Sequence, residues 1–327
     1  MAKQYEWKSG FAETIFDFLA MKRAMGYEYI TQEETMRSFD RMAADLYPSQ
    51  HDLTKKVCED WMEHNASFAP KTQNSRTGLL REYAKYLCSV GITAYIIPSH
   101  YAAKEEKYDP HIFTSYELKA FFEATDNCEK VAWSPYRHYI IPVFFRLLYT
   151  TGIRSTEARS LTPSDVNLNT GRILIKESKG WKQRIVYVSE DMLELMNRYN
   201  SHIKKMLPER NFFFPNQFNC MISRSTPEIW FRKIWNSLPQ ASNVSGNKPR
   251  VHDFRHTFCV TRINRWVEEG KDINIYLPYL SEYLGHVNYA STDYYLKLSE
   301  EFYPELKRRM AAINEHILPE VTDYENR

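Results

Sequence analysis

Val251-His-Asp-Phe-Arg-His-Thr-Phe258 sets His252 and Arg255 three residues apart, and on a helix that spacing puts both on one face. One side chain offers a ring N–H, the other a charged fork of donors. Together they are an economical way to surround one phosphate. His256 points elsewhere and reads as a packing residue. An HxxR pair by itself is mostly coincidence, so its weight depends on its company.

Toward the C-terminus lies Leu284-Gly-His-Val-Asn-Tyr-Ala-Ser-Thr-Asp-Tyr-Tyr295. Gly285 permits a tight turn after a helix, which exposes His286. Nine residues later comes Tyr295, with Tyr294 beside it. In a chain with 23 Tyr, a core or surface ring is the default for any one of them. Upstream, Thr151-Gly-Ile-Arg-Ser-Thr-Glu157 places Arg154 at the mouth of a helix, where a guanidinium can fork onto two phosphate oxygens. Glu157, one turn on, can hold it in place. Taken alone, the two read first as a surface ion pair. Ser178-Lys-Gly-Trp-Lys-Gln183 forms a hairpin tip from which Lys179 can reach a groove and hand a proton to a leaving alkoxide. Lys and Gly at such tips are also ordinary solubility features. Lys182 and Arg184 read as contacts to a nucleic-acid backbone or as plain surface.

Taken in order, these segments resemble the tyrosine recombinase, or phage integrase, family, which includes the bacterial chromosome-dimer resolution enzymes. That family shows an Arg in a GxRxxE-like helix start, a Lys in a β-hairpin, HxxRH, LGH and then a Tyr. This chain has GIRSTE at 152–157, SKG at 178–180, HDFRH at 252–256, LGH at 284–286, and Tyr295 at the family's spacing after LGH. Ser178 stands where the family usually has Gly, and Phe254 where it often has Leu; neither touches a reacting atom. Tyr294 is the one ambiguity, and the spacing after His286 favours Tyr295. The resemblance covers about Thr114 to Tyr295. The region before it is similar to the family's core-binding domain in helical character only.

The resemblance implies a catalytic set of Arg154, Lys179, His252, Arg255, His286 and Tyr295, supported by Glu157. It implies a 3′-phosphotyrosyl intermediate that a 5′-hydroxyl from a partner strand reverses on new DNA, for integration, excision or transposition of mobile DNA. Neither ATP nor a metal is called for, and no cofactor is expected. The implied partners are a double-stranded DNA recombination site and further copies of the chain, as a tetramer on two duplexes, with accessory recombinases or DNA-bending proteins. The expected setting is cytoplasmic and nucleoid-associated. Two other readings share the motifs: a type IB topoisomerase-like nickase, separable by its lack of strand exchange, and a catalytically silent DNA-binding protein. The completeness of the residue set speaks against the second. A plain helical scaffold explains none of the motif order.

The rest of the chain predicts a mainly α protein with a small β-sheet: a helical, SAM-like bundle over 1–97, a linker over 98–111, and an α-rich catalytic domain over 112–327 with a short antiparallel hairpin sheet and a helical tail. In the bundle, Phe11, Ile15, Phe18 and Leu19 follow helical spacing up to Gly26. Thr31-Gln-Glu-Glu34 opens a second helix in capping-box style. A third helix carries Val57 and Trp61, and a fourth runs from Pro70 to a stop at Gly91. The segment from Ile97 to Pro110 is polar with Pro at both ends, and a linker of that kind lets two domains clamp a duplex. Thr114-Ser-Tyr-Glu117 caps the next helix. Arg172–Lys176 and Arg184–Val188 alternate as two strands. Helices are also read after Thr226-Pro227, over His252–Glu269, Asn274–Leu284 and Ser291–Leu298. The tail from Pro304 to Ile317 is amphipathic, with Leu306, Met310, Ile313 and Ile317 on one stripe.

Net charge is only +2, but basic residues outnumber acidic ones about two to one between Gly171 and Lys271, while 1–107 is nearly balanced. A locally basic face suits a phosphate backbone. The five Cys lack any CxxC or Cys/His spacing and read as reduced, small buried apolar residues of a cytosolic protein. No signal-peptide core or membrane-spanning run is present.

Overall fold

The computed structural model describes residues 5–101, 103–104, 109–176, 183–243, 248–285 and 295. The chain divides into two compact units, Met1–Lys107 and Tyr108–Arg327. Among the described residues, no helix is long and apolar enough to cross a membrane.

The first unit is built from α1 (Ala12–Ala24), α2 (Ile30–Leu46), α3 (Lys55–His64) and α4 (Pro70–Ser89). Each turns an apolar stripe inward, and Phe18, Phe39, Trp61 and Tyr83 meet at the centre with almost no exposure. The Thr54 hydroxyl caps α3 by accepting from the Val57 amide. The expected capping box at Thr31 does not form. The helix begins at Ile30, and Tyr29 before it is left-handed at φ 52° with no side-chain cap. Tertiary contacts anchor that entry: the Tyr29 hydroxyl donates to Glu82 and its ring packs edge-on against Phe18. Leu46, the last residue of α2, is 59% exposed. The segment read as a linker begins as part of this unit. Arg81 donates to the carbonyls of Ile97 and Pro98, and Asn74 exchanges two hydrogen bonds with the Ala103 backbone.

The second unit contains α5 (Ser115–Asp126), α6 (Arg137–Thr151), α7 (Ser155–Ser160), β1 (Val166–Asn167), β2 (Arg172–Ile175), β3 (Arg184–Tyr187), α8 (Glu190–Met206), α9 (Thr226–Trp235), α10 (Asp253–Glu268) and α11 (Ile273–Leu284). Thr114 and Glu117 form the expected capping box at α5. The sheet is antiparallel in the order β1-β2-β3, with Ile173 opposite Val186 on the buried face. Two strands were expected. The third, β1, is two residues long, too short to show an alternation. The core is centred on α6, whose Phe144, Phe145, Leu147 and Leu148 are buried. Phe254, where smaller Leu was the comparison, fills an aromatic cluster with Phe113, Phe121, Phe145 and Phe231. A second cluster joins Phe258, Cys259, Ile263, Leu277, Leu280, Leu284 and Tyr295.

Cys58 and Cys259 are buried as expected of small apolar residues, whereas Cys88 and Cys220 are exposed and Cys128 is half-buried; all five are free thiols. Cys88 lies on the outward side of the last turn of α4, next to the buried Leu87, and Cys220 lies in the turn between the bridged residues Pro215 and Met221.

Candidate active site

The site is assembled where α6 ends, α7 begins, α10 begins and α11 ends. Gly152 closes α6 in the left-handed conformation at φ 64°, and a Cβ there would lie 2.5 Å from the Phe258 ring. Only glycine fits both demands. Two residues later Arg154 is the N-cap of α7. Its amide donates to Glu157 Oε2 at 2.8 Å and its Nη1 to Glu157 Oε1 at 2.8 Å. Nη2 donates to the Gly285 carbonyl at 3.1 Å. The side chain keeps 24% of its surface exposed, so part of its donor edge faces outward.

Arg255 lies in the first turns of α10 and is 2% exposed. Nη1 donates to the Gly152 carbonyl at 2.8 Å and Nη2 to the Leu284 carbonyl at 2.7 Å. Burial and the nearby Arg154 charge both push its pKa down from the usual guanidinium value, though an Arg stays protonated in such settings. Arg184 completes a set of three. Its Nε donates to the Tyr283 carbonyl at 2.7 Å. The guanidiniums of Arg184, Arg255 and Arg154 thus take the successive carbonyls of Tyr283, Leu284 and Gly285. These are end-of-helix acceptors of α11, which lack intrahelical partners and carry the negative end of the helix dipole.

Glu157 binds two of the three. Its buried carboxylate accepts Nη1 and Nη2 of Arg184 at 2.9 and 2.7 Å as well as Nη1 of Arg154. Burial pushes its pKa up, but the Arg184 hydrogen bond and charge, with the Arg154 contacts, hold it below the usual carboxylate range. The reading of Arg184 as a DNA-backbone contact or plain surface is corrected here: its side chain is 7% exposed and all three guanidinium nitrogens are engaged inside the protein. Its place on the inward side of β3 decides this, because alternate residues of a strand face the core.

His252 sits at the N-cap of α10 with an exposed surface. The packing around its ring, together with the charges of Arg255, Arg250 and Arg154, pushes its pKa down from 6.5 to about 4. Its ring is 4.9 Å from that of His256, which in turn lies 5.5 Å from Tyr295. Tyr295 is helical and 3% exposed. Burial pushes its phenol pKa up and the Cys259 thiol adds to this, while the Arg255 charge opposes it; the ring packs in one buried cluster with Cys259 and Leu284.

The described residues therefore bring together Arg154, Glu157, His252, Arg255 and Tyr295, all singled out from the sequence. Lys179, Lys182, His286, Tyr294 and the tail after 300 lie outside the described residues. The sequence reading missed Arg184 as a buried partner of Glu157. The inward register of Ile173, Ile175 and Val186 was the available signal. It also missed Cys259 beside the tyrosine, which follows Arg255 by one helical turn.

The sequence model of the phage integrase family matches residues 112–301. The integrase/recombinase y4rB of Sinorhizobium fredii (strain NBRC 101917 / NGR234) is 25% identical over 311 residues, covering 92% of this chain and 97% of that protein. Tyrosine recombinase XerC of Staphylococcus saprophyticus is 27% identical over 200 residues, covering 61% of this chain and 60% of its own length. Among solved structures, the Tn1549 transposon integrase in complex with a circular intermediate DNA superposes with a TM-score of 0.64 at 14% identity, covering 92% of this chain and 98% of that one. XerH site-specific recombinase bound to palindromic difH substrate gives 0.62 at 19% identity, with 86% and 77% covered. These structures share the fold, and the family match spans most of the second unit, where the arginines and Tyr295 converge. The chain belongs to the phage integrase family and is a tyrosine-type site-specific recombinase.

Proposed function

We propose that Tyr295 is the nucleophile that opens and reseals DNA strands in this chain. The observation that carries the reading is the convergence of Arg154 and Arg255 on the end of α11, with Tyr295 buried in the cluster that holds Leu284 and Cys259. The phenol oxygen attacks the scissile phosphorus, the bond from phosphorus to the 5′-oxygen breaks, and a 3′-phosphotyrosyl link remains. The phenol proton passes to an acceptor, a role we assign to the neutral ring of His252. Lys179 protonates the departing 5′-oxygen. Arg154 and Arg255 neutralise the charge that builds on the non-bridging oxygens, and His252 and His286 donate further hydrogen bonds. Reattack by a 5′-hydroxyl conserves the bond energy, so neither ATP nor metal enters.

In the free protein Tyr295 is 3% exposed, so binding of the duplex has to uncover it. Lys182 serves the DNA backbone, and a tetramer on two duplexes, aided by accessory recombinases or DNA-bending proteins, carries strand exchange.

Covalent trapping tests this reading. The protein is mixed with a broad pool of nicked duplexes without metal or ATP and denatured, and the DNA-linked peptide is sequenced. A phosphotyrosyl link at Tyr295, lost in Tyr295→Phe while DNA binding persists, is the expected result. An adduct at Tyr294 moves the nucleophile. Binding without any adduct across the pool supports the catalytically silent reading.

A further inference from the structure

We infer that Arg184 is a positioning residue for catalysis: by holding the Glu157 carboxylate in a two-pronged pair, it keeps Arg154 turned toward the phosphate, and it fixes the end of α11 from which His286 follows. The inference rests on the role proposed above for Arg154.

Glu157 has two oxygens and two competing guanidiniums. Arg184 occupies both oxygens, through Nη1 at 2.9 Å and Nη2 at 2.7 Å. Arg154 is left with a single side-chain bond to Oε1. A guanidinium has five N–H donors in a fixed fork. An Arg that gives only one of them to its carboxylate, and one to Gly285, can present others to a ligand. Take Arg184 away, and Glu157 becomes a buried carboxylate at 2% exposure with Arg154 as its one remaining guanidinium partner among the described residues. The fork of Arg154 then turns inward to satisfy it, because an under-compensated buried charge is costly.

The backbone supports the same assignment independently. Gly285 is left-handed at φ 65°, and a Cβ there would sit 3.1 Å from Arg184 Nη1 and 3.3 Å from its Cζ. The guanidinium lies against the glycine face while Nε holds the Tyr283 carbonyl. Glycine at this position thus serves the seat of Arg184 as well as the turn. Arg184 is itself shielded at 7% exposure, which separates it from the groups that face DNA.

Single-turnover formation of the covalent adduct, on the nicked duplex recovered by trapping, tests this in the full chain. Arg184→Met is expected to slow adduct formation at least ~10-fold, within the ~100-fold that an ångström-scale misplacement costs, with duplex affinity held within about twofold of the parent. The decisive variant is the double change Arg184→Met with Glu157→Gln. A neutral amide no longer draws Arg154 inward, so the double variant should cleave at least about threefold faster than Arg184→Met alone. A residue that merely stabilises the fold predicts no such rescue. Equal or slower cleavage by the double variant, or near-parental cleavage by Arg184→Met, overturns the inference. If Arg184→Met fails to fold, Arg184→Lys takes its place, alone and with Glu157→Gln, and the same rescue is required. An unmodified chain that forms no adduct counts instead against the reading of Arg154 and Tyr295.

Discussion

Arg255 ties the fold together at the place where the proposed chemistry calls for a cation. Burying a guanidinium costs several kcal/mol unless its donors are satisfied. Here two carbonyls, of Gly152 and Leu284, tie the end of α6 to the end of α11. Arg154 is more exposed and less tied. Arg255→Ala and Arg154→Ala should each slow adduct formation by at least ~100-fold, the scale of one transition-state charge donor. They should differ in thermal melting: Arg255→Ala lowers Tm, because two buried carbonyls lose their donors, and Arg154→Ala leaves it nearly unchanged. Near-normal cleavage by a folded variant removes that residue from the site. His252 gives a separate test by pH. Its folded pKa of about 4 lies below the ordinary 6.5, so the fold favours the neutral ring. The stability this contributes is fully present above pH 6.5 and is lost as pH falls from 6.5 toward 4. In an NMR titration of the free protein, the His252 ring should inflect near 4; an inflection near 6.5 would refute the neutral-acceptor assignment at mildly acid pH.

At the scale of elements, the ends of helices matter more than their middles. Gly152, Arg154 and Gly285 are all terminal residues, and the site is built from what those termini leave unsatisfied. Gly152→Ala should cost about 3 kcal/mol, combining left-handed strain with overpacking against Phe258. Calorimetry should show a lower Tm, and adduct formation should fall with it, since the Gly152 carbonyl orients Arg255. An unchanged Tm would mean the Phe258 ring yields freely. Helix middles were legible because periodicity records burial: Phe18, Trp61, Phe144 and Phe145 all lie inward. The start of α2 was not, because Tyr29 is anchored by Glu82 and Phe18 from a different part of the chain. A local capping pattern cannot report a distant partner.

Across the whole molecule, each unit carries its own core, and the charge excess falls in the second. The net charge of +2 conceals this. Duplex affinity should fall at least ~100-fold between 50 and 200 mM salt, as expected when several phosphates are neutralised. Fluorescence anisotropy on a non-specific duplex measures it, and a flat response would exclude backbone contacts as the source of affinity. Cleavage should persist in excess EDTA, since guanidiniums take the place of a metal in the proposed chemistry; a chelator-sensitive adduct yield would contradict that.

The sequence by itself determined the family and the helical character of both units, and its motif order singled out Arg154, His252, Arg255 and Tyr295 as the candidate set, because reacting groups must keep their type and their order along the chain. Tertiary structure alone decided how those groups are held. Arg184 reads as a surface cation in a basic stretch, yet the strand turns it inward onto Glu157. Cys259 reads as inert packing, yet it shares a buried cluster with Tyr295. Both outcomes depend on which carbonyls and carboxylates arrive from elsewhere. A linear pattern records which donors a site has; only the folded backbone shows which acceptors come within their reach.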